Sequence, residues 1–351
     1  MVSRARTSPS LIGIHCRITG HEHAECTGAG RTPASAVVAN QRGSLASSSV
    51  VRIARRHALD YLFLTPMLVL FVAFTIWPIL ATWIYALYAW DGFEPLQAFV
   101  GLDNFVEAAR DPGYWLAFAH TFTFSISAIV IQVPLALVIA LILNNRLMFA
   151  RNVYRILIFL PVITTTAVIG VVFDVLLDPS GGPLNSLLQD AHITRQPIEF
   201  LSSATLALPT VVAIKLWKDL GITMIYWLAA LQTIPSDVYE AARMDGANAW
   251  RTLVHITLPL LRPFAVIIVL LTFVSSFAAF DIVQVMTQGG PGHASEIVET
   301  YIFRYAFNPE SSTPRYGFAS AAGVLFGLAV LGITVLQAVV ARRFGSLQGA
   351  R

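Results

Sequence analysis

An all-α integral membrane protein with six transmembrane helices is the fold class this sequence predicts, and three observations predict it. Of 351 residues, 56% are hydrophobic and 12% charged, against about 25% charged in ordinary soluble domains. The mean hydropathy is +0.67. The apolar residues collect into six runs, each close to the roughly 20 residues that cross a hydrocarbon core. The third observation is where the arginines fall relative to those runs, which becomes visible once each run is placed.

Residues 1–55 are rich in Ser, Ala, Gly, Thr and Arg, show no apolar periodicity, and read as a disordered tail. No compact apolar core with a small-residue cleavage site precedes Arg55-Arg56, so no cleaved signal peptide is expected. Both cysteines, Cys16 and Cys26, lie in this tail beside His15, His21 and His23. Two thiols make no disulfide framework, and the spacing fits no zinc pattern, so no metal site is expected.

The first run covers about 61–88, with Pro66 and Pro78 as bends and Trp77, Trp83 and Trp90 toward its far end as an aromatic belt. A polar loop, 91–113, separates it from the second run at about 115–143. Asn144, Asn145, Arg146 and Arg151 make a short basic turn, and the third run spans about 156–177. The turn cluster Asp178-Pro179-Ser180-Gly181-Gly182-Pro183 opens a loop to about 203. The fourth run covers about 206–231 and the fifth about 264–285, ending near Asp281. Ile297, Tyr301, Ile302, Tyr305 and Phe307 predict an amphipathic helix at the membrane interface. The sixth run spans about 316–340, before Arg342-Arg343.

Cytoplasmic segments carry the excess of basic residues. With both termini inside, 17 of the 21 arginines are cytoplasmic, and only Arg110, Arg195, Arg304 and Arg315 are external. The reverse orientation would place the 17 outside.

Between the fourth and fifth runs lies a polar stretch, residues 236–263. Ser236 or Asp237 is a candidate helix cap, and Glu240 follows Asp237 at capping-box spacing. Residues 239–245 read as a short helix that Gly246 ends in a left-handed turn. A second piece runs from about 248 to 255, stops at Leu258-Pro259, and Arg262-Pro263 opens the next run. Ala241, Ala242 and Ala247 leave this elbow little side chain, so another protein's backbone can approach closely. Glu240, Arg243 and Asp245 put charge at its rim.

Glu240-Ala241-Ala242, three residues, Gly246, nine residues, then Ile256-Thr257-Leu258-Pro259 resembles the EAA loop of ABC-importer permeases. In that family the loop is a cytoplasmic coupling helix seated in a cleft of the ATPase subunit. The resemblance therefore assigns ATPase coupling to Glu240, Ala241, Ala242, Arg243, Asp245, Gly246, Ile256, Leu258 and Pro259. A second Glu107-Ala108-Ala109 lacks the glycine and the Leu-Pro and reads as chance. Residues 99–105 resemble the first external loop of the sugar-permease branch. Phe280-Asp281-Ile282-Val283 with Met286-Thr287-Gln288-Gly289-Gly290-Pro291 resembles a segment of maltose- and glycerol-phosphate-type permeases, with Ser295 where that pattern usually has Thr.

The resemblance covers about residues 58–343 and implies the type I importer permease fold, called MetI-like. The implied organisation is a cytoplasmic tail 1–55, a permease domain 56–345 and a short tail 346–351. It further implies a second homologous permease, two ABC ATPase subunits, an extracytoplasmic solute-binding protein and a sugar or sugar-like substrate. Transport by alternating access would be driven by ATP and magnesium held on the ATPase. The residues agree that this chain binds no nucleotide. Its lysines are Lys215 and Lys218, inside an apolar run, so no G-x-x-x-x-G-K-[S/T] loop exists in it. No nucleic-acid motif, H-E-x-x-H or nucleophile elbow is present either.

An ionisable residue at bilayer depth costs roughly 2.5–3.5 kcal/mol and usually faces a cavity or a partner. Lys215 and Lys218 sit near the middle of the fourth run on adjacent parts of one face, and Asp219 can neutralise one of them locally. Two readings stand: a polar translocation path in which Trp217 stacks on a sugar ring, or a structural ion pair. The fifth helix contributes to the solute path in the family, which adds Phe280 and Asp281 as candidates. Two intramembrane lysines would suit an anionic solute. The alternative to an ATP-driven importer is an ion-coupled secondary carrier using Asp174 or Asp281 as coupling sites.

Overall fold

The computed structural model describes residues 58–346 apart from 94, 97, 146, 147 and 308–312. The expectations for the tail, its cysteines and histidines, for Arg146 and for the residues after 346 lie outside the described residues. Two units are distinguished, Met1–Leu70 and Phe71–Arg351. The described part of the first lies in helix α1 (Ala58–Phe71), whose side chains from Leu62 to Leu70 are all exposed.

The second unit is helical: α2 (Trp77–Tyr85), α3 (Asp103–Arg110), α4 (Pro112–Ser127), α5 (Val133–Asn144), α6 (Arg151–Ile163), α7 (Thr166–Leu177), α8 (Pro183–Asp190), α9 (Ala207–Leu231), α10 (Ser236–Met244), α11 (Ala249–Thr252), α12 (Leu258–Ser276), α13 (Phe280–Met286), α14 (Val298–Phe307) and α15 (Tyr316–Ser346). Leu62–Tyr85, Pro112–Asn144, Ala249–Ser276 and Tyr316–Val339 are long and apolar enough to cross a membrane. The predicted third run is broken: α6 and α7 meet at 96°, and together they make a fifth candidate. Among the described residues, length and apolarity thus support four or five spans where six were expected. The difference is α9, a single helix of 25 residues and about 37 Å, in which Lys215, Lys218 and Asp219 interrupt the apolar run.

Among the described residues, three stretches of π-helix, Val72–Ile76, Ala128–Gln132 and Leu253–Thr257, share one cause. Each is followed by a helix with proline at its second residue: Pro78, Pro134 and Pro259. A proline lacks the N–H and its ring crowds the carbonyl four residues back. A widened turn relieves that crowding. The residue before each proline bonds five residues back, Trp77 to Val72, Val133 to Ala128 and Leu258 to Leu253. The chain therefore does not stop at Leu258-Pro259, as the sequence suggested. It runs helically from Ala249 to Ser276.

Other expected boundaries move for tertiary reasons. The fifth helix ends at Ser276, and after a break at 277–279 Asp281 lies on the separate helix α13. The polar loop after the first run contains α3, and the loop after the third contains α8. The helix expected at the membrane interface is α14, but Val298 and Tyr301 on it are fully buried. They pack with Tyr114, Ala117, Phe318 and Ala322 from α4 and α15.

Two further apolar clusters complete the core. Val133, Ala136, Ala140 and Leu143 of α5 meet Met224, Trp227 and Leu228 of α9 and Leu261 of α12. Ile169 of α7, Val211 and Ile214 of α9, and Ile282 and Val283 of α13 form the other. α9 contributes to both clusters, so it is a central helix of the unit. Polar contacts cross the same interfaces. Gln132 Nε2 donates to Thr223 Oγ1 at 2.7 Å and to the Asp219 carbonyl at 3.0 Å, and Ser276 Oγ donates to Ser125 Oγ at 2.7 Å.

Candidate functional site

The elbow is built by a glycine. Gly246 has φ +73°, which a residue with a Cβ adopts only with strain. The turn is a Schellman motif: Ala247 N–H donates to the Ala242 carbonyl at 2.9 Å, and Gly246 N–H to the Arg243 carbonyl at 3.1 Å. No atom lies within 4 Å of where a Cβ on Gly246 would stand, so backbone is presented to open space. The next helix is capped by Asn248, whose side chain accepts from Arg251 N–H at 2.8 Å. The caps expected at the start of α10 do not form. Pro235 occupies the cap position, and Ser236 Oγ bonds Asp237 Oδ1 at 3.4 Å instead.

Glu240, Ala241, Arg243 and Asp245 are exposed, whereas Ala242 is 5% exposed and belongs to the inward side of α10. Ile256, Leu258 and Pro259 are half-buried in the π-turn and the start of α12. Thr257 Oγ1 lies 3.5 Å from Tyr239 Oη, which joins α10 to that turn. Two residues the sequence reading passed over stand beside them: Met244 and Trp250 are 88% and 70% exposed. Large apolar side chains on a polar elbow are the signal that could have found them.

The second constellation lies on α9. Lys215 and Lys218 are buried at 7% and 8% exposure. Lys215 Nζ donates to Asp219 Oδ2 in a very short contact, and Lys218 Nζ stands 3.6 Å from Asp219 Oδ1. One carboxylate thus serves both ammonium groups. Trp217 is not brought to them. It is 47% exposed, with its ring edge-on to Phe173 of α7 at 5.5 Å.

On α13, Asp281 is exposed and Phe280 packs its ring 5.3 Å from Phe303 of α14. Lys215 and Asp281 act on a third group absent from the sequence reading, Glu299 of α14. Burial pushes the Glu299 carboxyl up to about 7; N–H groups of Phe280 and Ala279 and the Lys215 charge oppose that rise, and Asp281 adds to it. Its partners lie some 20 and 80 residues away in sequence, so no local pattern marks it. Glu107 of the second Glu-Ala-Ala serves a different purpose: Arg315 Nη2 donates to its Oε2 at 2.6 Å.

Comparison with known proteins follows the same lines. A family profile described as "Binding-protein-dependent transport system inner membrane component" matches residues 132–346. The chain is 32% identical over 280 residues to the "Probable ABC transporter permease protein YurN" of Bacillus subtilis, covering 80% of this chain and 94% of that protein. It is 31% identical to the "Trehalose/maltose transport system permease protein MalF" of Thermococcus litoralis, covering 82% and 95%, and 29% identical to the "Lactose transport system permease protein LacF" of Rhizobium radiobacter, covering 80% and 93%. Among solved structures, a chain of a bacterial ABC transporter involved in the import of alginate matches with a TM-score of 0.72 at 24% identity, covering 84% of this chain and 99% of that one.

Proposed function

The chain belongs to the family of binding-protein-dependent transport inner membrane components and is the permease of a carbohydrate ABC importer, and from that premise we propose how its parts work. The elbow at 236–263 is the surface that receives the ATPase. The observation that carries this reading is Gly246: its left-handed turn closes α10 and leaves open space where a partner backbone can approach. Exposed Glu240, Ala241, Arg243, Asp245, Met244 and Trp250 surround it, an apolar and charged mixture suited to a protein partner. Nucleotide and magnesium belong to that ATPase chain.

In this proposal α9 is the additional span. It carries its charges through the bilayer by burying them and pairing them on Asp219. The arginine distribution puts both termini and the elbow in the cytoplasm. A second permease of similar fold, a pair of ATPase subunits and an extracytoplasmic binding protein complete the importer, with the path between the two permeases. Exposed Trp217 and Asp281, with Phe280 next to Asp281 in the chain, are the candidate sugar contacts. Both lysines already contact the Asp219 carboxylate within α9, which leaves one net positive charge rather than two, and the case for an anionic solute weakens accordingly. ATP-driven closure of the ATPase pair would move the elbow, and the continuous helix from Ala249 to Ser276 would carry that movement to the path. Family membership removes the ground for an ion-coupled carrier at Asp174 or Asp281.

The test is Gly246→Asp in the assembled importer, assayed for sugar uptake and ATP hydrolysis in proteoliposomes. Uptake is expected to fall at least tenfold while the chain still inserts. Wild-type uptake would refute the coupling role of the elbow.

A further inference from the structure

The short helix α3 (Asp103–Arg110) is tied at both ends to the level where spans leave the bilayer. Before its start, Val100 and Gly101 N–H donate to the Leu87 carbonyl at 3.0 and 3.1 Å, and Ala89 N–H donates to the Ala98 carbonyl at 2.9 Å. Those bonds lie just past Tyr85, where the first span ends. Buried Asn104 fixes the helix to the same place, its Nδ2 donating to the Ala86 and Tyr88 carbonyls, each at 2.9 Å. At the other end Asp111 leads directly into the span that begins at Pro112. Trp115 Nε1 of that span reaches back to donate to the Ala109 carbonyl at 2.8 Å. A helix held between two span ends in this way lies along the bilayer surface.

The residues of this segment sort into three arcs around the helix. Asn104 and Ala108 face the protein and are buried. Leu102, Val106 and Ala109, spaced by four and three residues, share a second side. All three are exposed, Leu102 at 66% and Val106 at 43%. Asp103, Glu107 and Arg110 repeat that spacing on a third side, exposed and charged. We propose that α3 is a membrane-surface anchor: Leu102, Val106 and Ala109 enter the boundary between headgroups and acyl chains, while the charged arc faces headgroups and water. Its ligand is the phospholipid surface itself.

A surface-lying helix gains by burying an apolar side at that boundary while its polar side stays wet. The neighbouring side chains suit the same depth. Trp83 near the end of the first span and Trp115 near the start of the second are exposed, and tryptophan favours the membrane–water interface. A protein partner would be expected to meet apolar and charged groups intermixed, whereas here they are separated onto different sides. The anchor also gathers span ends. Gly317 N–H at the start of α15 donates to the Trp90 carbonyl at 3.0 Å, and Arg315 pairs with Glu107. The first, second and last spans are thereby held to one depth. The inference goes beyond the elbow reading and rests only on Leu62–Tyr85 and Pro112–Asn144 being spans.

The experiment places the complete importer in lipid nanodiscs without its binding protein, with Cys16 and Cys26 replaced by serine. A bimane fluorophore is attached to Leu102→Cys, Val106→Cys or Asp103→Cys, and quenched by aqueous iodide or by doxyl-labelled phospholipid. Labels at 102 and 106 are expected to be quenched by the lipid, with iodide quenching at least about threefold weaker than at 103, whose label shows the reverse. Equal iodide quenching at all three positions overturns the proposal. Shielding from iodide without quenching by lipid means that protein covers the arc, and overturns it too. Shielding that appears only when the binding protein is added makes the arc a docking surface and likewise overturns it. Phe99→Cys, exposed just before the arc, replaces either apolar position that does not assemble, with the same outcomes. Ile79→Cys, exposed within the first span, is the control: loss of lipid quenching there would be a failure of the span reading, distinct from failure at 102 and 106.

Discussion

Asp219 answers two buried ammonium groups with one carboxylate, and removing one member of such a set leaves uncompensated charge in the protein interior. Asp219→Asn is therefore expected to destabilise the chain by roughly 3–5 kcal/mol, read as a lower melting temperature in detergent and a loss of assembled complex. Lys218→Met should cost much less, because its contact is the longer one at 3.6 Å and Lys215 remains paired. Equal losses from the two variants would contradict the assignment of Asp219 as the shared partner. At Gly246 conformation and space can be separated by substitution. Asparagine tolerates the left-handed turn, so Gly246→Asn should fold within about 1 kcal/mol of wild type. Its side chain nevertheless enters the open space a partner needs, and ATP hydrolysis coupled to uptake should fall. Coupling at the wild-type level would mean that no backbone approaches there.

Among the elements, α9 is held by close approach. A Cβ on Gly221 would stand 2.5 Å from the Ile158 carbonyl and 2.9 Å from the Phe159 Cα, both backbone atoms of α6. Neither can rotate away, so Gly221→Ala should push α6 from α9 at a cost of about 1–3 kcal/mol. Thermal unfolding and limited proteolysis of the α6–α7 segment would register it, and an unchanged melting temperature would contradict the packing. The three π-turns are also element-scale devices. Each accommodates a proline without ending its helix, and the one before Pro259 keeps α11, the second arm of the elbow, and α12 on one continuous helix. In the proposed coupling, that continuity would carry a push at the elbow to Ser276.

For the molecule as a whole, what was legible in the sequence was whatever depends on local physics. Gly246 ends α10 because its φ is a property of that residue. Lys215 and Asp219 pair because four residues is one helical turn. The apolar runs locate most spans because crossing a bilayer needs a fixed length of apolar chain. What was not legible depends on contacts remote in sequence. A proline reads as a stop, and only the widened turn before it reveals that the helix continues through Pro259. Tyr301 reads as an interfacial aromatic, and only its packing against α4 and α15 shows it to be buried. Glu299 carries no local signal, because the groups that act on its carboxyl lie on α9 and near the start of α13.

The central claim is that the elbow faces the cytoplasm and receives a motor carried by another chain. The direct measurement is site-directed crosslinking from Ala241→Cys, an exposed elbow position, with Cys16 and Cys26 replaced by serine, in sealed vesicles containing the assembled importer. The account predicts labelling from the cytoplasmic side and a crosslinked product with the ATPase subunit, sensitive to ATP. Labelling from the outer side, or no ATPase adduct in a complex shown to contain the ATPase, would contradict it.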